Sequence, residues 1–189
     1  MRRTVLVSTL AAALIGAAAI TLPQLGLAAG EPMVGGAPMY PTKNIIENAM
    51  NSKDHTTLVA AVKAAGLVDT LSSPGPFMVF APTNEAFAML PKGTVDNLLK
   101  PENKEKLKKI LTSHVVGKAV LSDAINKMVA DDKGAHPVKT LSGAMLIAKN
   151  DNGKLTLTDE NGGVATVTIA DVKQSNGVIH VIDHVLLPK

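Results

Sequence analysis

Cysteine and tryptophan are absent from this chain of 189 residues; tyrosine occurs once and phenylalanine three times. Without cysteine no disulfide can hold the fold, so burial must do it alone, and the roughly 160 residues beyond position 30 are enough for one domain with its own core. So few aromatic rings imply an aliphatic interior filled out by methionine, of which there are eight. Charge of one sign is lacking too. Setting Arg2 and Arg3 aside leaves 17 basic residues against 16 acidic ones. No broad basic field remains, which excludes nucleic acid as the expected partner. Catalytic and nucleotide motifs are also missing. No Gly-x-Ser-x-Gly elbow occurs, no serine sits on an obvious nucleophile turn, and no Gly-x-x-x-x-Gly-Lys segment exists to cradle phosphates.

What is present begins with an address. Residues 1–29 read as a secretory signal peptide: a basic head at Arg2-Arg3, an apolar stretch from Val5 to Leu22, and small residues at Gly26, Ala28 and Ala29. About 18 apolar residues could just span a bilayer, but Pro23 and the small residues favour cleavage over a retained anchor. The expected location is therefore secreted, extracellular or periplasmic, with no stable membrane insertion after cleavage. Residues 30–41, with Pro32, Gly35-Gly36, Pro38 and Pro41, read as a flexible spacer carrying exposed Met33 and Met39. The domain proper is expected over residues 42–189.

Within it, amphipathic spacing predicts helices first. Ile45, Ile46, Ala49 and Met50 begin one; Asp54 caps a second whose stripe is Leu58, Val59 and Val62 and whose stop is Gly66. Phe77–Ala81 reads as a short buried strand, after which Thr83 caps a helix with Ala86 and Phe87 inward. Pro101 opens a helix ending near Ser113, whose apolar face is Leu107, Ile110, Leu111 and then His114, with Lys104, Lys106, Lys108 and Lys109 opposite. Beyond a short helix over 121–129, strand-length pieces alternate with Asn152-Gly153, Asn161-Gly162-Gly163 and Asn176-Gly177, the residues suited to turns with positive φ. Helices mainly in the first half and strands mainly in the second make an α+β domain. Gly177–Pro188 is nearly all β-branched or aliphatic, as in a central strand covered on both faces.

Three segments, in this order, resemble the fasciclin (FAS1) domain family. Phe77–Phe87 is similar to its first signature and Gly177–Pro188 to its second, while Leu111–Val116 is similar to its Tyr-His segment, with Ser113 where the Tyr is usual and His114 retained. The resemblance covers Thr42 to Lys189. It implies a β-wedge or sandwich with helices packed around it, a role in adhesion or in matrix and cell-surface interaction, and no chemistry common to the family. In some animal members an Asp-Ile pair upstream of the second signature is implicated in integrin binding; Asp171-Val172 falls at the matching position. The same pair could simply close a turn.

His180, Asp183 and His184 invite a metal or acid–base reading. On a strand, His180 and His184 would point to one face and Asp183 to the other, with the two imidazoles about 13 Å apart. They cannot then share a zinc ion, so no metal and no cofactor are expected. A polar structural core of Thr83, Asn84, His180 and Asp183 is expected instead, with Thr83 and Asn84 as partners of the Asp183 carboxylate. His55 and His136 receive no role. The binding candidates are Asp171, Val172, Ser113, His114 and the basic helix face. These readings converge on a non-catalytic, exported binding module whose partner is a cell-surface or matrix protein or polysaccharide. A carrier of a small apolar ligand, with a pocket left by the aliphatic core, is the alternative. A hydrolase is the third class and lacks a visible nucleophile.

Overall fold

The predicted C-terminal strand is the spine of the molecule. Strand β9 (Gly177–Ile182) lies beside β3 (Phe77–Pro82), parallel and in register from Phe77↔Gly177 to Pro82↔Ile182. The structure, a computed structural model, describes residues 31–189; the expected signal peptide lies outside them. Alternate side chains of this strand pair feed two separate cores. Val79, Ala81, Ile179 and Val181 face one, while Met78, Phe80 and Ile182 face the other. Period-two geometry thus explains why both sequences are apolar without a break: each face of the pair has its own cover.

The first core is roofed by helices α1 (Ile45–Ala49), α2 (Thr56–Ala65), α3 (Val68–Ser72) and α6 (Lys104–Thr112). Helices α4 (Asn84–Ala88) and α5 (Thr94–Leu98) connect β3 to α6. The second core lies under α7 (Ser122–Asp131) and the antiparallel strands β5 (His136–Lys139), β6 (Met145–Asp151), β7 (Lys154–Thr158) and β8 (Val164–Gln174). With β4 (Val115–Val116) the sheet order is β4-β3-β9-β8-β7-β6-β5. Two register shifts in β8, between Val167 and Ile169 and between Ile169 and Val172, let one long strand pair with β7 at its start and β9 along the rest. Such bulges bend a strand and raise its twist, and here they curl the sheet into a nearly closed wedge. The α+β class and the wedge architecture are as expected. Among the described residues no helix is long and apolar enough to cross a membrane.

Two local expectations are corrected. From residue 31 the spacer is a hairpin, β1 (Met33–Val34) with β2 (Ala37–Pro38), and Val34 and Met39 are buried in the first core. Met33 alone of the two methionines is exposed. The hairpin is tied down by Asn48, whose Nδ2 donates to the Tyr40 carbonyl while its Oδ1 accepts from the Tyr40 N–H. Asp54 does not cap α2; it lies in a 3-10 turn, Lys53–His55, and the acceptor comes from elsewhere. Asn84 Oδ1 takes the Thr57 N–H at 2.9 Å, and its Nδ2 donates to the Lys53 carbonyl at 2.8 Å.

Candidate functional site

Most of the polar residues that the sequence singles out hold backbone: Ser113, His114, Asp171, His180, Asp183, Thr83 and Asn84 each bond to a main-chain group. His114 follows α6 and is 2% exposed. The Leu186 N–H donates to its Nε2 at 2.9 Å, so the proton sits on Nδ1, which donates to the Ile110 carbonyl at 2.8 Å. Burial pushes the imidazole down to about 4, with the Ile110 carbonyl and the Asp159 charge opposing. Ser113 is buried as well, its hydroxyl donating to the Ile110 carbonyl at 2.5 Å. The helical spacing that put His114 on the apolar face is therefore right, but its place is the closed interior, and neither Ser113 nor His114 belongs to a contact surface. The C-terminal tail folds back onto His114 through Leu186.

Asp171 occupies a bulge of β8 with φ 59. Its Oδ1 accepts the Ser122 N–H at 2.6 Å and its Oδ2 accepts the Ser122 hydroxyl, so the carboxylate caps the N-terminus of α7. Val172 is fully buried. The pair thus joins sheet to helix, with Val172 enclosed and the Asp171 carboxylate half-buried against Ser122. Replacing Asp171 by alanine loses the cap, about 1 kcal/mol, and puts a Cβ-bearing residue without side-chain compensation in the left-handed region, about 1–2 kcal/mol more. A denaturant titration is expected to show about 2–3 kcal/mol lost; asparagine, which tolerates that backbone and keeps one acceptor, should lose less. Equal losses for both would refute the cap.

His180 is fully buried and stacks on Phe80 at 5.8 Å between ring centroids. The Asp171 N–H donates to its Nδ1 at 3.2 Å, and its Nε2–H donates to the Val120 carbonyl at 3.0 Å. Burial lowers its pKa, with the Val120 carbonyl and Asp171 partly opposing. Serine, aspartate and histidine do gather here, but in an order that cannot relay a proton. Ser122 bonds to the carboxylate, and both imidazole nitrogens of His180 are engaged with backbone, so no base faces the hydroxyl.

Strand β9 ends at Ile182, so the expected alternation stops there. Asp183 is half-buried and His184 exposed, bonded to each other through Nδ1 and Oδ1 at 2.9 Å. The partner of Asp183 is the Thr166 N–H at 2.7 Å, not Thr83 or Asn84. Burial works to raise the Asp183 carboxyl, yet the Thr166 N–H and His184 together hold it below the usual range. Thr83 instead caps α4 by accepting the Ala86 N–H, and Asn84 serves α2 as described. Among the described residues no group of His, Asp or Glu could hold a metal ion.

Asp159 and His55 are among the structural polar residues that escaped the sequence reading. Asp159 binds the Asn161 and Gly163 N–H groups through Oδ1 and the tail N–H of Leu187 through Oδ2 at 2.8 Å. An Asp two residues before Asn-Gly-Gly is the local signal for the first part; nothing local announces the second. His55 is 3% exposed and bonds Ser52 through Nδ1, while its Nε2 lacks a hydrogen bond. Burial lowers its pKa, with Ala81 and Asp54 opposing. Beneath α1 and α2 lie two narrow, almost wholly apolar spaces of about 30 and 20 Å³. Each has room for one or two water-sized bodies, far below the several hundred Å³ of a small-molecule pocket.

The fasciclin domain profile matches residues 53–188. Protein sll1483 of Synechocystis sp. is 47% identical over 86% of this chain and 91% of its own length. Immunogenic protein MPB70 of Mycobacterium bovis is 37% identical over 74% of this chain and 66% of its own. Transforming growth factor-beta-induced protein ig-h3 of Sus scrofa is 35% identical over 78% of this chain, which spans only 20% of that protein. Among solved structures, a FAS1 domain pair from the insect cell adhesion molecule fasciclin I superimposes with a TM-score of 0.68 at 19% identity, covering 77% of this chain and 51% of the other. With a profile running from the 3-10 turn before α2 to the penultimate residue, and full-length relatives besides, this chain belongs to the fasciclin domain family.

Proposed function

We propose that this protein is a non-catalytic binding module that acts outside the cytoplasm, attaching to a cell-surface or matrix protein or polysaccharide. The observation that carries the reading is the state of its polar residues: His114, His180, Asp171 and Asp159 are all bonded to backbone, leaving a rigid scaffold whose free chemistry lies on the surface. Kinship supports it, because fasciclin domains are generally non-catalytic, their homologues are typically extracellular, and the family is known in adhesion proteins such as ig-h3 and periostin. The small size of the apolar spaces beneath α1 and α2 weighs against a carrier site between those helices and the sheet.

Of the surfaces considered from sequence, the basic face of α6 remains exposed: Lys104, Lys106, Lys108 and Lys109 all meet solvent. Solid-phase binding of the full chain to surface and matrix fractions of the producing cells tests the reading. Binding is expected, and Lys104→Glu with Lys108→Glu should weaken it about tenfold while leaving the melting temperature nearly unchanged, since exposed charges contribute little to stability. If the full chain binds none of these fractions, the module reading falls; if the double variant binds undiminished, the helix face is the wrong surface.

A further inference from the structure

We propose that the seam between the two edge strands of the sheet, β4 and β5, receives an extended acidic segment of a partner protein as an added strand. The hydrogen-bond phase of each edge carries the argument. Phe80 N–H donates to the His114 carbonyl, so His114 and Val116 face β3, whereas Val115 turns outward to the seam and Gly117 follows it in a bend. Thr140 N–H donates to the Ala144 carbonyl, so Val138 and Thr140 face β6, whereas Lys139 and Leu141 turn outward to the same seam from the other side. The seam closes next to these strands through Leu141 N–H to the Val115 carbonyl at 2.7 Å and Ser142 N–H to the Thr112 carbonyl at 3.3 Å. Beyond that closure, the backbone of Gly117 and of Lys139 makes no hydrogen bond across the gap among the described residues.

There the walls part around a groove of about 480 Å³. Met78, Val116, Ile125 and Val138, all buried, lie along it, and Lys118 and Lys139 stand exposed on its rim. Among the described residues no carboxylate lines the groove; His136, on the same wall, is bonded to Asp132 outside it. Strand addition draws its affinity from main-chain hydrogen bonds and its selectivity from alternate side chains. Here one side chain in two would enter the apolar floor and the others would meet the lysines, which selects an acidic strand. Pro137 and Lys139 also discourage indiscriminate edge pairing, as edge residues of these types do. The assignment rests on the reading of the chain as a binding module and names one partner chemistry for it.

The test uses the full chain and a fluorescent hexapeptide of alternating valine and glutamate, followed by anisotropy and by amide chemical shifts. Binding is expected, with shifts centred on Gly117, Lys118 and Lys139. Lys118→Glu should weaken it about tenfold through charge alone. Lys139→Pro should weaken it by a similar factor: it deletes an N–H that faces the seam and spares the β5–β6 ladder. A peptide N-methylated at alternate amides should bind correspondingly less well. Absence of binding, equal binding of the N-methylated peptide, or shifts confined to α6 would overturn the proposal. Dimerisation of the chain with shifts at the seam would overturn the partner assigned to it. If the surface-fraction binding described above persists while the peptide fails, the seam is wrong and the module reading stands; if both fail, both fall.

Discussion

Gly177→Ala is expected to cost more than about 4 kcal/mol, the extreme of the range for single substitutions, a large share of the about 5–15 kcal/mol that a domain of this size holds. A Cβ on Gly177 would lie 2.1 Å from the Phe77 carbonyl oxygen and 3.1 Å from the Phe77 nitrogen. Even close carbon–oxygen contacts between strands sit near 3.3 Å, and the obstacle is backbone, so no rotamer change relieves it. Phe77 cannot withdraw either, because its N–H donates to the Asn176 carbonyl and its strand is locked in register to β9. The residue is glycine for closeness of approach; the turn-type φ expected for Asn176-Gly177 is absent, since neither residue has a positive φ. Gly153→Ala is the matched control. It has φ 87 and open space around its Cβ, so it should lose only the left-handed penalty of about 1–2 kcal/mol. Thermal melts followed by circular dichroism compare the two. A Gly177→Ala protein as stable as its Gly153→Ala counterpart would mean that β3 and β9 are not so closely apposed.

His114→Leu is expected to remove about 2 kcal/mol at neutral pH, because it strips the buried Leu186 N–H of its acceptor at about 1–3 kcal/mol for a group left bare, while the Ile110 carbonyl keeps the Ser113 hydroxyl. The same residue governs acid stability. Its folded-state pKa is lowered from 6.5 to about 4, so between those values the unfolded chain binds more protons than the folded one. Its contribution is complete above about pH 6.5 and is lost as the pH falls through about 4, roughly 3 kcal/mol in all. His55 and His180 are lowered too and act in the same direction. The parent should therefore lose stability steeply across this window, and His114→Leu should show a shallower slope from a lower starting point. Denaturant titrations at a series of pH values measure both. A parallel slope in the variant would mean that the imidazole is not the group being protonated.

Both substitutions act on contacts that the sequence announces only in part. The spine strands were legible because continuous apolar runs need cover on both faces, and α2 and α6 because their apolar residues recur at helical spacing. Thr83 was legible as a cap because its acceptor serves an N–H only three residues on. The cap of α2 was not. Its acceptor is Asn84, separated by 27 residues, while Asp54 next door offered the same chemistry. The β1–β2 hairpin was hidden because strands of two residues carry no period, and its glycines and prolines resemble those of a linker.

The candidate site divides along the same line. Spacing placed His114 on the apolar face of its helix, but the Leu186 N–H that it binds is 72 residues away. Asp171 was visible as a residue matching a family position; that it caps a helix beginning 49 residues earlier depends on how β8 bulges. By itself the chain determined its class, its central strands and most of its helices, because those follow from backbone preference and side-chain period over a dozen residues. The tertiary structure alone decided which polar groups are enclosed and which edges stay open. Hydrogen-bond partners far apart in sequence are chosen by topology, which no local pattern encodes.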